Sequence, residues 1–521
     1  MSVSEFEAGY GRSPQPADLG RDMNGRHNGH EPLLPLREEI TDLLMGALEH
    51  PTEMAKWLTR QDIPHLPVGY DPGRGNIHFL SQLDMSTVGK ASALVIANSG
   101  AFGYNERYWA LQDIEREARK QVMMDEEADG PLMLGFTRPG DLLVIGSSNP
   151  EQTRLVLERI CESFEGIGVT LTGKYKIVSS VAEYMAQNSA PDLVIPHVMD
   201  PRLLYWYGRS HGDPYAYFLA GLRNSVAYQK THFEWLMRNG GIPVPRTVYT
   251  RHDPNQVDAY ARELLCQFQA YDRLVISSAG GIGGSDVHFV PRDPDEIRKT
   301  LHQHFRTGME VFTQGAMELS GSPCVRINIT EDKISVIGIA QQRFLGNGQH
   351  AGNESYDGLM EYYNQLYPGF IDYVERAANV LRAAGVRGQI NIDILLATAE
   401  EIQLRGEKSR INFREGNVRP AYSATESALR RGTIDGQPIS RVHMNSKVPL
   451  TFEQFARDDF MAVLNPMDSR QSRMRVVFVN YDAHDPDHSR RYAYLCFVGI
   501  EGVSEEELNA YEREVIATLR S

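Results

Sequence analysis

The apolar positions of this chain change period several times, and each change predicts an element. Asp141 to Ile145 is a short unbroken apolar run after an acid, which reads as a buried strand. Asn149-Pro150-Glu151-Gln152 follows with a capping residue, a proline at the first helical position and a glutamine three places after the cap, so a helix is expected to start there. Leu157, Ile160, Cys161 and Phe164 then recur at the spacing of one helix face, and a second apolar strand is expected over Leu193 to Ile195. The order is βαβ.

A second unit is expected from about Asn224. Phe233, Leu236 and Met237 form a helical stripe that Gly240-Gly241 ends, and Ile242-Pro243-Val244-Pro245 forces an extended exit. Val275-Ile276 leads into Ala279 to Gly284, and Val325 to Ile339 alternates as two strands around the turn Glu331-Asp332-Lys333. A helix carrying Val374, Ala377, Ala378 and Leu381 should stop at Gly385. Ile390 to Leu396 and Arg410 to Glu415 read as strands separated by a polar turn. Ser504 and Glu507 form a capping box ahead of a last helix whose one face is Leu508, Tyr511, Val515 and Leu519. The fold class is therefore α/β and α+β, multidomain: a βαβ unit over 33–215, a second unit over 216–440 and a small carboxy-terminal unit over 441–521.

Composition narrows the function. A chain of 521 residues with 41% hydrophobic content can bury a large core and divide into several domains. Its formal charge of −15 argues against nucleic acid or anionic lipid as the main partner, which need clustered Lys and Arg. The four cysteines, Cys161, Cys266, Cys324 and Cys496, have no metal-ligand spacing, which fits neither a disulfide nor a zinc framework. No apolar run reaches the roughly 18 residues of a membrane helix, and the amino terminus lacks a signal-peptide core, so a soluble cytoplasmic protein with no membrane partner is expected. Residues 1–32 are polar and rich in Gly and Pro, too poor in aliphatics to offset their ordering entropy, and read as a disordered tail.

Two stretches carry chemistry. Gly280, Gly281, Gly283 and Gly284, between strand-like segments, would let backbone amides approach phosphate oxygens with no Cβ in the way. Such turns more often simply join hairpins, and this one is neither a Walker loop, since no Gly-Lys-Ser/Thr follows, nor a dinucleotide fingerprint, since no helix opens after it. The second stretch is Arg414 to Pro420. Period-two alternation puts Glu415 and Asn417 on one strand face, where a neighbouring strand can bring Asp393 beside them as hard oxygen ligands suited to Mg²⁺. The competing reading is a structural ion pair between Glu415 and Arg419.

This order, a strand with a glycine-rich loop, a hinge, a helix, a strand with an acid and a strand ending Glu-x-Asn-x-Arg, resembles the ATP-grasp superfamily. Within it the chain is most similar to the pheganomycin-type peptide ligases, which carry a pre-ATP-grasp domain and a small carboxy-terminal domain. The resemblance rests on residues 224–245, Gly280 to Gly284, Ala340 to Gly346 with Gly352-Asn353, Gly385 to Gly388 before Asp393, and Glu415 to Pro420, and covers about 220–435. It implies a pre-ATP-grasp domain over 33–215 and an ATP-grasp domain over 216–440 with a lid at about 245–310. It implies ATP and Mg²⁺ as cofactors, with Asp393, Glu415 and Asn417 holding the metal. Ser278 and the glycines Gly280, Gly281, Gly283 and Gly284 would cover the phosphates, Lys230 would lie near the nucleotide, and Gln314 and Glu318 fall in the hinge that reads adenine. For Lys230 the competing reading is a solvated helix charge.

Two positions depart from the family pattern. The strand before the glycine loop reads Val275-Ile276-Ser277-Ser278 where many relatives carry a lysine, leaving Arg273 as a candidate replacement. Asn391 stands where many relatives place their first metal acid, so Asp393 takes that role by spacing. The implied reaction activates a carboxylate as an acyl phosphate and gives it to an amine, with Arg419, then Arg343 and Arg326, as stabilisers of the tetrahedral intermediate. The expected partners are a small-molecule carboxylate and amine, such as amino acids or peptides, with a carrier-protein thiol as an alternative acceptor and a homodimer left open. A nucleotide-binding regulator without catalysis is the reading from another class.

Overall fold

The computed structural model describes residues 94–97, 130–191, 194–197, 201–211, 230–250, 253–278, 287–305, 311–329, 333–344, 350–384, 386, 388–405, 409–417, 420–465, 472–482 and 492–520. The expected tail over 1–32, the glycine loop and Arg419 lie outside them.

Four strands, β1 (Leu94–Ala97), β2 (Leu142–Gly146), β3 (Tyr175–Val178) and β4 (Val194–Pro196), form a parallel sheet in the order β3-β2-β1-β4. Parallel pairs need crossover connections, and helix Pro150–Glu165 supplies the one between β2 and β3. It starts as its sequence requires, with Pro150 in the first turn and the Asn149 side chain accepting from the Gln152 N–H, and it buries Val156, Leu157, Ile160 and Phe164.

A second sheet contains β5 (Thr247–Thr250), β6 (Arg273–Ser278), β7 (His288–Pro291) and β8 (Val311–Gly315), all antiparallel in the order β5-β8-β6-β7. Helices Val257–Gln267 and Pro294–Phe305 bury Leu264, Ile297 and Leu301 in a core shared with Leu274 and Ile276 of β6. The glycine-rich stretch thus joins two antiparallel neighbours, β6 and β7.

The third sheet has ten strands: β9 (Leu319–Gly321), β10 (Pro323–Ile329), β11 (Ile334–Phe344), β12 (His350–Tyr356), β13 (Gly388–Ala397), β14 (Ile411–Asn417), β15 (Thr433–Ile434), β16 (Gln437–Pro449), β17 (Met474–Asp482) and β18 (Tyr492–Ile500). Its main path runs β14-β13-β10-β11-β12-β16-β18-β17. Because β16 pairs with β12, the sheet continues past residue 441, and β16 to β18 share one buried core with the parallel amino-terminal sheet. The last helix, Glu505–Arg520, opens with the expected capping box of Ser504 and Glu507.

Alternation gives the middle of this sheet two unlike faces. Val325, Ile327 and Ile329 of β10 and Ile390, Ile392 and Ile394 of β13 pack under helix Phe370–Ala383 with Val374, Ala378 and Leu381. Their alternates Cys324, Arg326, Asn328, Asn391 and Asp393 lie on the opposite face, and four of these five are buried polar side chains. Burial of that much polarity costs stability unless partners compensate.

Candidate active site

Register sets the site. Cys324, Asp393 and Glu415 form one row across β10, β13 and β14, and Arg326, Asn391 and Asn417 form the next. Glu415 reaches this face through a bulge. Asp393 pairs with Glu415 but Ile394 pairs with Phe413, so Arg414 is an extra residue in β14. Without it Glu415 would share a face with Phe413, which is fully buried in the apolar core.

Asp393 is only 5% exposed, and its Oδ1 has no hydrogen-bond donor among the described residues. Burial and then the negative charge of Glu415 push its pKa up to about 6, against hydrogen bonds from Cys324 and Gln342 that favour the carboxylate. Two neighbouring carboxylates in low dielectric repel each other, and a cation relieves both the repulsion and the missing bond.

One such cation is already there. Lys230 Nζ lies 3.5 Å from Glu415 Oε2, and the side chain is buried at the start of helix Lys230–Asn239. Three contacts seat that helix. Phe233 covers the bare Cα of Gly416, where an added Cβ would come within 2.8 Å of the ring. Pro243, in the extended exit, accepts from the Phe413 N–H at 2.8 Å. Tyr249 of β5 donates its hydroxyl to Glu234. The Lys230 ammonium also stands 5.9 Å from the Phe312 ring of β8, so it lies where the second and third sheets meet.

The donor set fits Mg²⁺. Among the described residues no cluster of three or more His, Cys, Asp or Glu could hold a metal. Mg²⁺ needs less than that, since it keeps waters and takes one or two carboxylates together with phosphate oxygens. Asp393 and Glu415 supply those two, and Asn417 sits at the next register position on the same face.

The remaining sequence candidates divide. Arg326 is 7% exposed and paired with Glu426 of helix Pro420–Arg430, which also accepts from Ser355 Oγ at 2.6 Å and Arg430 Nε at 3.4 Å. Arg343 makes a two-pronged pair with Glu512 of the last helix at 3.0 and 3.3 Å. Gln314 is buried on β8 and donates to Thr247 Oγ1 at 3.2 Å, while Glu318 is exposed just beyond it and its carbonyl accepts from Thr398 N–H at 3.2 Å. Ser278 ends β6 beside Val311. Arg273 is at the far end of β6 from the glycine stretch, with its guanidinium 5.3 Å from the Phe289 ring. Gly280, Gly281, Gly283, Gly284 and Arg419 lie outside the described residues.

Sequence reasoning missed the partners. Cys324, Gln342, Ser355 and Glu426 come from β10, β11, β12 and the helix after β14, and no local spacing unites them. It also missed His443, buried on β16, with Nδ1 3.2 Å from Glu512 and Nε2 3.6 Å from Glu354.

No family model matches the chain, and no curated protein sequence matches it. Among solved structures it is similar to an L-amino acid ligase from Bacillus licheniformis, at 11% identity and a TM-score of 0.46 over 82% of this chain and 98% of that one. It is similar to an N5-carboxyaminoimidazole synthetase from Staphylococcus aureus complexed with ADP, at 9% identity and 0.44 over 83% and 98%. A biotin carboxylase from Campylobacter jejuni in an ATP-type complex gives 10% identity and 0.44 over 82% and 95%. At such values the chemistry rests on this chain's own residues.

Proposed function

We propose that the chain is an ATP- and Mg²⁺-dependent carboxylate–amine ligase of the ATP-grasp type, acting on amino acids or peptides and releasing ADP and phosphate. The observation that carries this reading is the in-register pair of buried Asp393 and half-buried Glu415, beside Lys230 where two sheets meet. A pair of acids that only stabilised the fold would be fully hydrogen-bonded, and among the described residues no donor reaches Asp393 Oδ1.

The proposed domains are a pre-ATP-grasp unit over 33–215, an ATP-grasp unit over 216–440 with its lid at about 245–310, and a carboxy-terminal unit from 441. When bound, Mg²⁺ would neutralise charge on the transferring phosphate, held by Asp393 and Glu415 with Asn417 alongside. Lys230 supplies a fixed positive charge next to Glu415, the glycines Gly280 to Gly284 cover the phosphates, and Gln314 and Glu318 border the base.

The chemistry has two balanced steps. A substrate carboxylate oxygen attacks the γ-phosphorus, the bond to the bridging oxygen breaks and ADP leaves. The amine nitrogen then attacks the acyl carbon, the bond from that carbon to the phosphate oxygen breaks, inorganic phosphate leaves with the electron pair, and the nitrogen loses its proton. Arg419, two places after Asn417, is the first candidate for stabilising the oxyanion between these events, ahead of Arg343 and Arg326, which pair with Glu512 and Glu426.

A screen of carboxylates and amines read by ADP release tests the reading. Hydroxylamine should trap the acyl phosphate as a hydroxamate, and products of AMP and pyrophosphate would contradict it. Comparing free amines with a carrier-protein thiol separates the two acceptors.

A further inference from the structure

A cavity of about 520 Å³ opens around Arg326, one register row from Asp393, and the metal reading does not use it. Its wall includes Phe136 from the amino-terminal layer, Gly338 of β11, Glu361 at the start of helix Leu359–Leu366, and Arg326, Arg430 and Arg431. Arg326 occupies the row next to Asp393 on the same sheet face, so the cavity and the proposed phosphate-transfer site are neighbours. A volume of this order holds an amino acid or a short peptide.

Three features distinguish the cavity from a packing gap. Arg326 is buried and paired with Glu426, yet its Nε has no acceptor among the described residues. The pair with Glu426 therefore leaves part of the donor capacity of this guanidinium unused. Gly338 keeps the space in front of it clear: a Cβ there would approach Arg326 Cζ to 2.9 Å. The glycine has no positive φ to explain it, so room for the guanidinium is its use.

The third feature is charge. Arg430 is held by Asp357 at 2.6 Å and by Glu426, but among the described residues no carboxylate pairs with Arg431, and no cation pairs with Glu361. Among the described residues the lining therefore offers one guanidinium, Arg431, and one carboxylate, Glu361, without an ion-pair partner. That is the complement of a zwitterion.

We propose that this cavity binds the amine-donating substrate, a free amino acid or short peptide, with its carboxylate at Arg326 and Arg431 and its amino end on the Glu361 side. The assignment to the amine donor rests on the ligase reading. A carboxylate gripped by two guanidiniums is shielded from phosphorylation, so the molecule held here is the one whose carboxylate must stay unreacted. It also favours a free small molecule over a carrier thiol as the acceptor.

Calorimetric titration of the full-length protein with each standard L-amino acid tests this, both alone and with Mg²⁺ and a non-hydrolysable ATP analogue. At least one should bind, and its carboxamide or its deaminated analogue should bind roughly tenfold or more weakly. Arg431→Gln, at an exposed position, should weaken the amino acid to a similar extent and leave the carboxamide unchanged. Glu361→Gln should do the same for the amino end, and Gly338→Val should abolish binding while the protein stays folded. Absence of binding by every amino acid in both titrations overturns the proposal. So does equal binding of acid and carboxamide, or wild-type affinity in folded Arg431→Gln and Glu361→Gln. Amino acid binding without ADP release for any substrate pair would keep the cavity and remove the ligase reading. ADP release with an acceptor KM unmoved by Arg431→Gln would do the reverse.

Discussion

Asp393 and Glu415 face each other across β13 and β14 at the point where β14 carries an extra residue, Arg414. The bulge takes Glu415 out of the phase of Phe413 and into the row of Asp393. Burial and like charge then leave Asp393 with a pKa of about 6 and, among the described residues, an oxygen without a donor. A fold tolerates such a pair when a cation completes it.

The contact that seats Lys230 should be sensitive to one methyl group. Gly416→Ala drives a Cβ to 2.8 Å from the Phe233 ring and 2.9 Å from Ile390 Cδ1. The expected cost is about 1–3 kcal/mol of stability, measured by urea unfolding, with loss of activity because Lys230 shifts with its helix. Phe233→Leu in the same protein should recover part of both; no recovery would mean that Phe233 is not the obstacle.

Lys230→Gln removes the ammonium and keeps a polar side chain of similar length. The apparent affinity for ATP, read from ADP release against ATP concentration, should fall roughly tenfold or more. Unchanged ATP dependence would assign Lys230 to structure alone.

The buried network around His443 predicts how stability varies with pH. Burial alone would raise the pKa of Glu512, but the hydrogen bond from His443 and the charge of Arg343 outweigh it and pull it down to about 2, from 4.5. Its contribution is present above pH 4.5 and lost as pH falls towards 2, a linkage on the order of 3 kcal/mol. Burial alone would lower the pKa of His443, yet hydrogen bonds to Glu354 and Glu512 raise it above 6.5. Its contribution is present below pH 6.5 and lost as pH rises through the folded value. Unfolding free energy measured against pH should therefore fall on both sides, and His443→Gln should flatten the alkaline limb. An unchanged alkaline limb would show that His443 is neutral in the fold.

How far the sequence revealed this is clearest at particular residues. Asn149 and Ser504 announced their helices because a cap is a contact between residues three apart. The alternation of Val325, Ile327 and Ile329 announced a two-faced strand for the same local reason. Asp393 and Glu415 could be paired by guess, but the extra residue at Arg414 could not be foreseen, because strict alternation through Phe413 points Glu415 into the core. The partners of Arg326 and Arg343 were illegible for a different reason: Glu426 and Glu512 lie 100 and 169 positions further along the chain, and only the closed sheet brings them near. A sequence read locally shows Arg326 and Arg343 and not the carboxylates that hold them.

The measurement that bears most directly on the central claim is ADP release and melting temperature on the same preparations of Glu415→Gln and Asp393→Asn. Each replacement keeps the shape and removes a charge that a Mg²⁺ ligand must supply. If the pair holds the metal at the transferring phosphate, each protein should stay folded and lose turnover by on the order of a hundredfold or more. The double variant should lose less than the product of the two, since both residues serve one site. Near-wild-type turnover in well-folded Glu415→Gln protein, with only a shift of melting temperature, would contradict the account and leave Glu415 as the partner of Lys230 alone.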